Sequence, residues 1–230
     1  MDSAGIATEK RALLAHVLPM GLFLALLALV SGLKQLGGSF WLSAPEYWVF
    51  PLQTIGCAAL LIWFRQNYEF RRLARPAFTL GIGLGVYLLW IAPQAFLHFA
   101  PRTAGFDPNT FGAQPVAYAA TVAFRFLRLV IVVPIVEEIF WRGFLLRYFI
   151  DERFTRVAFG TFSWLSFAVV TVGFTLAHSL EDWPAAVATG MLYNLVAYRT
   201  KSLTSCIVAH ALTNLLLGFW IMRTGEWGFW

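Results

Sequence analysis

This 230-residue chain predicts an all-α fold, a polytopic membrane helix bundle of about seven to eight transmembrane helices. Three observations lead there. Hydrophobic residues make up 59% of the chain and charged residues only 13%, against about 25% charged in soluble domains. Mean hydropathy is +0.68, and several apolar runs reach the roughly 18–20 residues that cross a bilayer. The basic residues also fall mainly on alternate loops, as they do when a chain weaves through a membrane.

Apolar helices are predicted near 16–33, 47–64, 78–99, 117–149, 159–180, 184–198 and 203–222. The first follows Lys10 and Arg11, but its apolar core exceeds a signal-peptide h-region and no small-x-small cleavage site closes it. It reads as a retained helix. The second and third are generic apolar spans. The fourth would be roughly 50 Å long at about 1.5 Å per residue, well beyond a hydrocarbon core of about 30 Å. Pro134 is expected to kink it. Its start, with Arg125 and Arg128 three residues apart, is expected in the outer interface, both arginines serving as snorkelling anchors. Turn-rich stretches ("KQLGGSFWLSAPE", "PRTAGFDPNTFGAQP", "RTKSLTS") separate the spans. Loops this short leave no room for a soluble domain, so 1–230 reads as a single transmembrane domain.

Charge sets the expected orientation. Eleven basic residues (Lys10, Arg11, Arg65, Arg71, Arg72, Arg75, Arg147, Arg153, Arg156, Arg199 and Lys201) fall on one side, and Lys34, Arg102 and Arg223 on the other. The positive-inside rule then puts the N-terminus in the cytoplasm and the C-terminus outside. Trp41, Trp48, Trp183, Trp220 and Trp227 cluster at the expected outer boundary. The net charge of +5 follows this topology, which argues against a nucleic-acid partner. Cys57 and Cys206 lie inside apolar runs, with neither metal-ligand spacing nor a disulfide framework.

Ionisable residues inside spans are expensive and mark functional sites. Here they are Glu137, Glu138 and Arg142 on the fourth span, His178 on the fifth, and His210 with Asn214 on the seventh. Glu138 and Arg142 are i, i+4 and share a helix face, so they can pair. Glu137 sits about 100° round and is the freer carboxylate. His210 and Asn214, also i, i+4, present two hydrogen-bonding tips together. A spare carboxylate, two imidazoles and an amide form a kit for hydrolysis. Taken singly, each has a plainer reading: a structural clamp, a satisfied core histidine, interhelical glue. His16 and His98, at predicted span ends, are expected to be interfacial.

These motifs, "EEIFWR", "FTLAH" (Phe174, His178) and "HALTN", come in the order E-E-x-x-x-R, F-x-x-x-H, H-x-x-x-N. They resemble the CAAX-protease and bacteriocin-processing family of intramembrane proteases, which includes the type II CAAX prenyl endopeptidase. The likeness covers about 117–222. The wording "VEEIFWRGFLLR" is similar to the bacterial branch found beside exosortase-type sorting systems. The resemblance implies an intramembrane, glutamate-dependent endopeptidase acting on a membrane-associated protein or peptide, in a bacterial inner membrane. By the same resemblance Glu137 is the general base, His178 its partner, His210 and Asn214 the oxyanion holders, and Glu138 with Arg142 the orienting pair.

No cofactor is expected. Zinc is the chemical rival, since Glu137, Glu138, His178 and His210 are all ligand types. Against it, no H-E-x-x-H places two imidazoles on one helix. Two other classes remain open from the residues alone. A proton- or ion-coupled transporter would bury the same groups, but no repeated half is evident. A structural membrane subunit would tolerate Glu137→Gln.

Overall fold

The computed structural model describes the backbone of residues 3–230 and the side chains from Thr8 onward. Among the described residues it is helical without strands. Seven long helices follow one another: α1 Ser3–Leu36, α2 Glu46–Trp63, α3 Pro76–Ala95, α4 Pro115–Tyr148, α5 Trp164–Leu176, α6 Trp183–Thr200 and α7 Leu203–Thr224. Each predicted span has its helix.

The bundle is apolar on its surface as well as through much of its core, and it buries polar groups among the core residues. Leu24, Leu52, Ile55, Ile62, Leu84, Val172 and Phe219 are exposed, whereas Gln53, Glu138, Arg142, Ser166 and Asn194 are at most 1% exposed. Apolar outward and polar inward is the arrangement that lipid favours. Four helices are long and apolar enough to cross a membrane: Thr8–Leu36, Pro76–Ala95, Pro115–Tyr148 and Leu203–Thr224. The other three fall short of that measure for visible reasons. The 13 residues of α5 reach only about 20 Å. In α2 and α6 the apolar character is diluted by Gln53 and Asn194, which turn inward to serve buried arginines. Cys57 and Cys206 are free and fully buried in the core.

Local chemistry explains the helix boundaries. The predicted fifth span began at 159, but Gly160 has φ +75° and Ser163 is extended, its side chain accepting the Ser166 N–H. A helix therefore starts at Trp164, as an N-cap serine dictates. Lys201, at φ +53°, ends α6 in the left-handed region, and Ser202 caps α7 one residue later through the Ser205 N–H at 3.3 Å. Ser202 Oγ also donates to Arg72 O at 3.0 Å, which pins this tight turn to the 64–75 loop.

Helix α4 is not uniformly α-helical. Leu127–Val132 and Ile139–Leu145 are π-helical, on either side of the α-helical Val133–Glu138. Proline is one cause. In the i→i+5 register the Leu129 carbonyl would look to residue 134, a proline without an N–H. The Asn214 side chain supplies a donor instead, Nδ2 to Leu129 O at 2.9 Å.

The loops rich in basic residues gather at one end. Arg147 reaches Glu69 at 3.3 Å, Arg156 reaches Glu9 at 3.8 Å, and Tyr68 OH donates to Ala15 O at 2.9 Å. At the other end Arg102 pairs with Asp182 at 2.6 Å, Tyr47 OH donates to Asp107 O at 2.6 Å, and Gly228 N donates to Arg102 O at 2.7 Å.

Three sequence expectations are corrected. Arg125 and Arg128 are buried rather than snorkelling, because the 96–114 loop and the C-terminal segment fold over this end. Phe50, Phe106 and Trp230 surround Arg125, with ring centroids 5.0, 5.0 and 5.5 Å from its guanidinium carbon. His16 is also buried rather than interfacial. It sits edge-on to Tyr68 and Phe154, with Nδ1 donating to Ala12 O at 2.8 Å.

Candidate active site

Glu138 and Arg142 form the salt bridge expected from their spacing, at 2.9 Å and with neither side chain exposed. A buried pair is held only when its remaining donors are also met. Arg142 Nε donates to Asn194 Oδ1 at 3.1 Å, Nη2 donates to Gly190 O at 3.3 Å, and Phe174 and Tyr193 flank the guanidinium. Asn194 in turn donates to Thr171 Oγ1 at 3.2 Å. Glu138 Oε1 carries a second bond, from His210 Nδ1 at 3.0 Å, while Oε2 has no partner.

A carboxylate only accepts, so His210 donates through Nδ1 and presents Nε2 elsewhere. His178 is oriented by the same logic. Its Nδ1 donates to Phe174 O at 2.8 Å, four residues back, and its ring stacks obliquely on Phe174 with centroids 4.6 Å apart. Again Nε2 is the nitrogen left for another molecule. His178 lies just beyond the end of α5, half-buried.

A cavity of about 250 Å³ brings these groups together. Glu137, His178, His210 and Asn214, from α4, the end of α5 and α7, all border it. The two imidazoles, about 18 Å apart in depth if span five began at 159, come to one chamber partly because α5 begins later. Glu137 is half-buried and makes no hydrogen bond or ion pair with another described side chain. That leaves it the free carboxylate. Glu138 and Arg142 are held behind it.

The structure adds residues that lie outside the three motifs. Arg128 borders the cavity together with Trp90, Asp182 and Tyr193. Behind them, Asn194 and Gly190 hold Arg142, Gln53 holds Arg128, and Tyr193 OH donates to Thr213 Oγ1 at 2.8 Å. Gln53 and Asn194 carried a usable signal, an amide in the middle of an apolar helix. Arg128 did not. In an ideal helix the nine steps from Arg128 to Glu137 turn about 900°, setting them on opposite faces. A π turn takes up one extra residue, and that brings the two within about 80° of each other.

Among the described residues no three His, Cys, Asp or Glu side chains gather closely enough to hold a metal ion. What the chamber offers is a free carboxylate, two imidazole nitrogens, an amide and a guanidinium in surroundings of low dielectric. A base there can take a proton from water, and the N–H groups can meet a developing negative charge.

The family model described as type II CAAX prenyl endopeptidase Rce1-like matches residues 119–216. This stretch contains every motif residue of the cavity. No curated protein and no solved structure matches the chain.

Proposed function

We propose that the chain, whose residues 119–216 match the family model described as type II CAAX prenyl endopeptidase Rce1-like, is a peptide hydrolase of that kind and that its cavity performs glutamate-dependent hydrolysis of a peptide bond inside the membrane. One observation carries this reading: Glu137, His178, His210 and Asn214, contributed by three separate parts of the chain, border the same cavity.

In this reading Glu137 takes a proton from a water whose other hydrogen is held by His178 Nε2. The water oxygen attacks the carbonyl carbon, and negative charge collects on the carbonyl oxygen. His210, held by Glu138 through Nδ1, turns its ring toward that charge. Asn214 contributes the N–H that Leu129 O does not use. Glu137 then passes its proton to the amide nitrogen, the C–N bond breaks, and a carboxylic acid and an amine leave. A positioned base contributes about 10²–10⁴ in rate, and one oxyanion donor about 10²–10³.

The chemistry is proposed to be metal-free. A zinc site built from Glu137, His178 and His210 would consume the base and the oxyanion donor, and Arg128 on the cavity wall opposes a dication. Active protein that contains stoichiometric zinc, loses activity to a chelator and regains it with zinc would overturn this.

We assign the chain to a bacterial inner membrane as one membrane domain, with its N-terminus and the 64–75 loop in the cytoplasm. The support is the eleven-to-three distribution of basic residues. Arg71→Cys in a cysteine-free background should react with an impermeant thiol reagent only from the cytoplasmic face, and labelling from outside reverses the assignment. The substrate is proposed to be a membrane-associated protein or peptide, within an exosortase-type sorting system by resemblance of the first motif. Comparing the termini of membrane proteins between wild-type and Glu137→Gln cells tests this: the two sets should differ, and identical termini would sink the protease reading.

A further inference from the structure

One charged side chain on the cavity wall has no part in that chemistry. Arg128 is 7% exposed, and a guanidinium so deeply buried in a membrane protein ordinarily has a counter-charge. Arg142 has Glu138; Arg128 has no carboxylate within ion-pair distance among the described residues. What holds it is neutral. Its Nε donates to Gln53 Oε1 at 2.6 Å, and Gln53 Nε2 donates to Phe23 O at 2.7 Å. The rings of Phe50 and Phe23 lie 4.3 and 5.2 Å from its guanidinium carbon.

Both terminal nitrogens of Arg128 are left without a protein acceptor. They are not sealed in, unlike Nε and Nη1 of Arg125, which are buried and unpaired. The opening available to them is the cavity that Arg128 shares with Glu137. A fixed guanidinium offering two N–H groups side by side matches a carboxylate in a two-pronged contact. Glu137 does not fill that place, since it forms no ion pair with Arg128.

We propose that Arg128, braced by Gln53, is a carboxylate-binding subsite for the peptide that the cavity hydrolyses. The proposal rests on the peptide-hydrolase reading, which supplies the kind of molecule that enters. Beyond ion-pair distance from Glu137 but inside one chamber of about 250 Å³, the subsite suits a carboxylate within a few residues of the scissile bond. Two carboxylates meet that description, the peptide's own C-terminus and an acidic side chain.

The test uses purified, full-length Glu137→Gln protein in detergent, so that binding is read without turnover. Three probes are compared: acetyl-Leu-Leu-Leu with a free carboxylate, its C-terminal amide, and acetyl-Leu-Glu-Leu amide. Calorimetry gives their affinities. At least one carboxylate peptide should bind about tenfold or more tighter than the neutral amide. Which one does so identifies the source of the carboxylate. Adding Arg128→Gln should erase that preference, and Arg128→Lys should keep part of it. Gln53→Glu leaves the arginine in place but gives it a competing carboxylate, so it should also weaken the preference. This second variant carries the test if Arg128→Gln does not fold.

Equal affinity for all three probes, including no measurable binding of any, overturns the proposal. So does a preference that survives both Arg128→Gln and Gln53→Glu. Failure of the hydrolase reading would look different: Glu137→Gln would retain wild-type turnover.

Discussion

Two regions of the same helix treat charge in opposite ways. Around Arg142, the pair with Glu138 is closed off by Asn194, Gly190 O, Phe174 and Tyr193, and nothing is exposed. Around Arg128 and Glu137, each charge faces a cavity and neither makes an ion-pair contact, although each lies in the other's field. The residue types are the same, arginine and glutamate, and the neighbours decide the outcome. A network closed off from the cavity fixes helices; one that opens onto it keeps its bonding capacity for something else. The difference teaches that intramembrane charge marks function where it is left unmatched, not merely where it occurs.

Mutations can break or sharpen that contrast. The largest effect is expected from Glu137→Gln, on the open side: turnover falls by about 10²–10⁴, while thermal unfolding of the purified protein is unchanged. Comparable turnover would mean that the carboxylate is not the base. Next comes Glu138→Gln, on the closed side. It strips the counter-charge from a fully buried Arg142 and should destabilise the protein by about 3–5 kcal/mol in reversible unfolding. Unfolding at the wild-type temperature would show that the closed network is not what holds these helices.

Asn194→Leu is milder, because it removes a neutral partner from Arg142 Nε. A loss of about 1–3 kcal/mol is expected, read by the same unfolding measurement. No loss would mean that the amide is dispensable. The smallest effect is predicted away from both regions, at Gly160→Ala. Its Cβ would approach Ala197 O to 2.4 Å at φ +75°, for a loss of about 1–2 kcal/mol. Turnover per folded molecule should stay constant, and a drop would mean that this turn communicates with the cavity.

Much of this was legible in the sequence, for particular reasons. Seven apolar segments were long enough to stand out, and i, i+4 spacing correctly paired Glu138 with Arg142. Glu137, Phe174, His178, His210 and Asn214 border one cavity, with Glu138 and Arg142 behind it. What escaped depended on contacts between distant segments or on departures from ideal helix geometry. Burial of Arg125 needed Phe106 and Trp230, both far away in sequence. The start of α5 turned on one left-handed glycine and one serine cap. Gln53 and Asn194, unlike Asn214, stand beside no histidine or charged residue at i, i+4, yet an amide in the middle of an apolar helix is as much in need of a partner as Asn214 is. Arg128 was read as an interfacial anchor because it lies, three residues from Arg125, in the first part of a segment too long for the hydrocarbon core; its burial depends on Gln53, Phe23 and Phe50, far away in sequence.

The π-helical stretch Leu127–Val132 makes α4 sensitive to counting. Most single substitutions there would keep the number of residues, and with it the direction in which everything upstream faces. Losing one residue there would let the stretch close into an ordinary α-helix and keep Arg128 within about 80° of Glu137, whereas gaining one as a further α-helical step would swing Arg128 roughly 100° away. The altered chain would still be helical, apolar and able to insert. In genetic terms, this part of the gene should accept many missense changes and an in-frame deletion of a single codon more readily than an in-frame insertion of one.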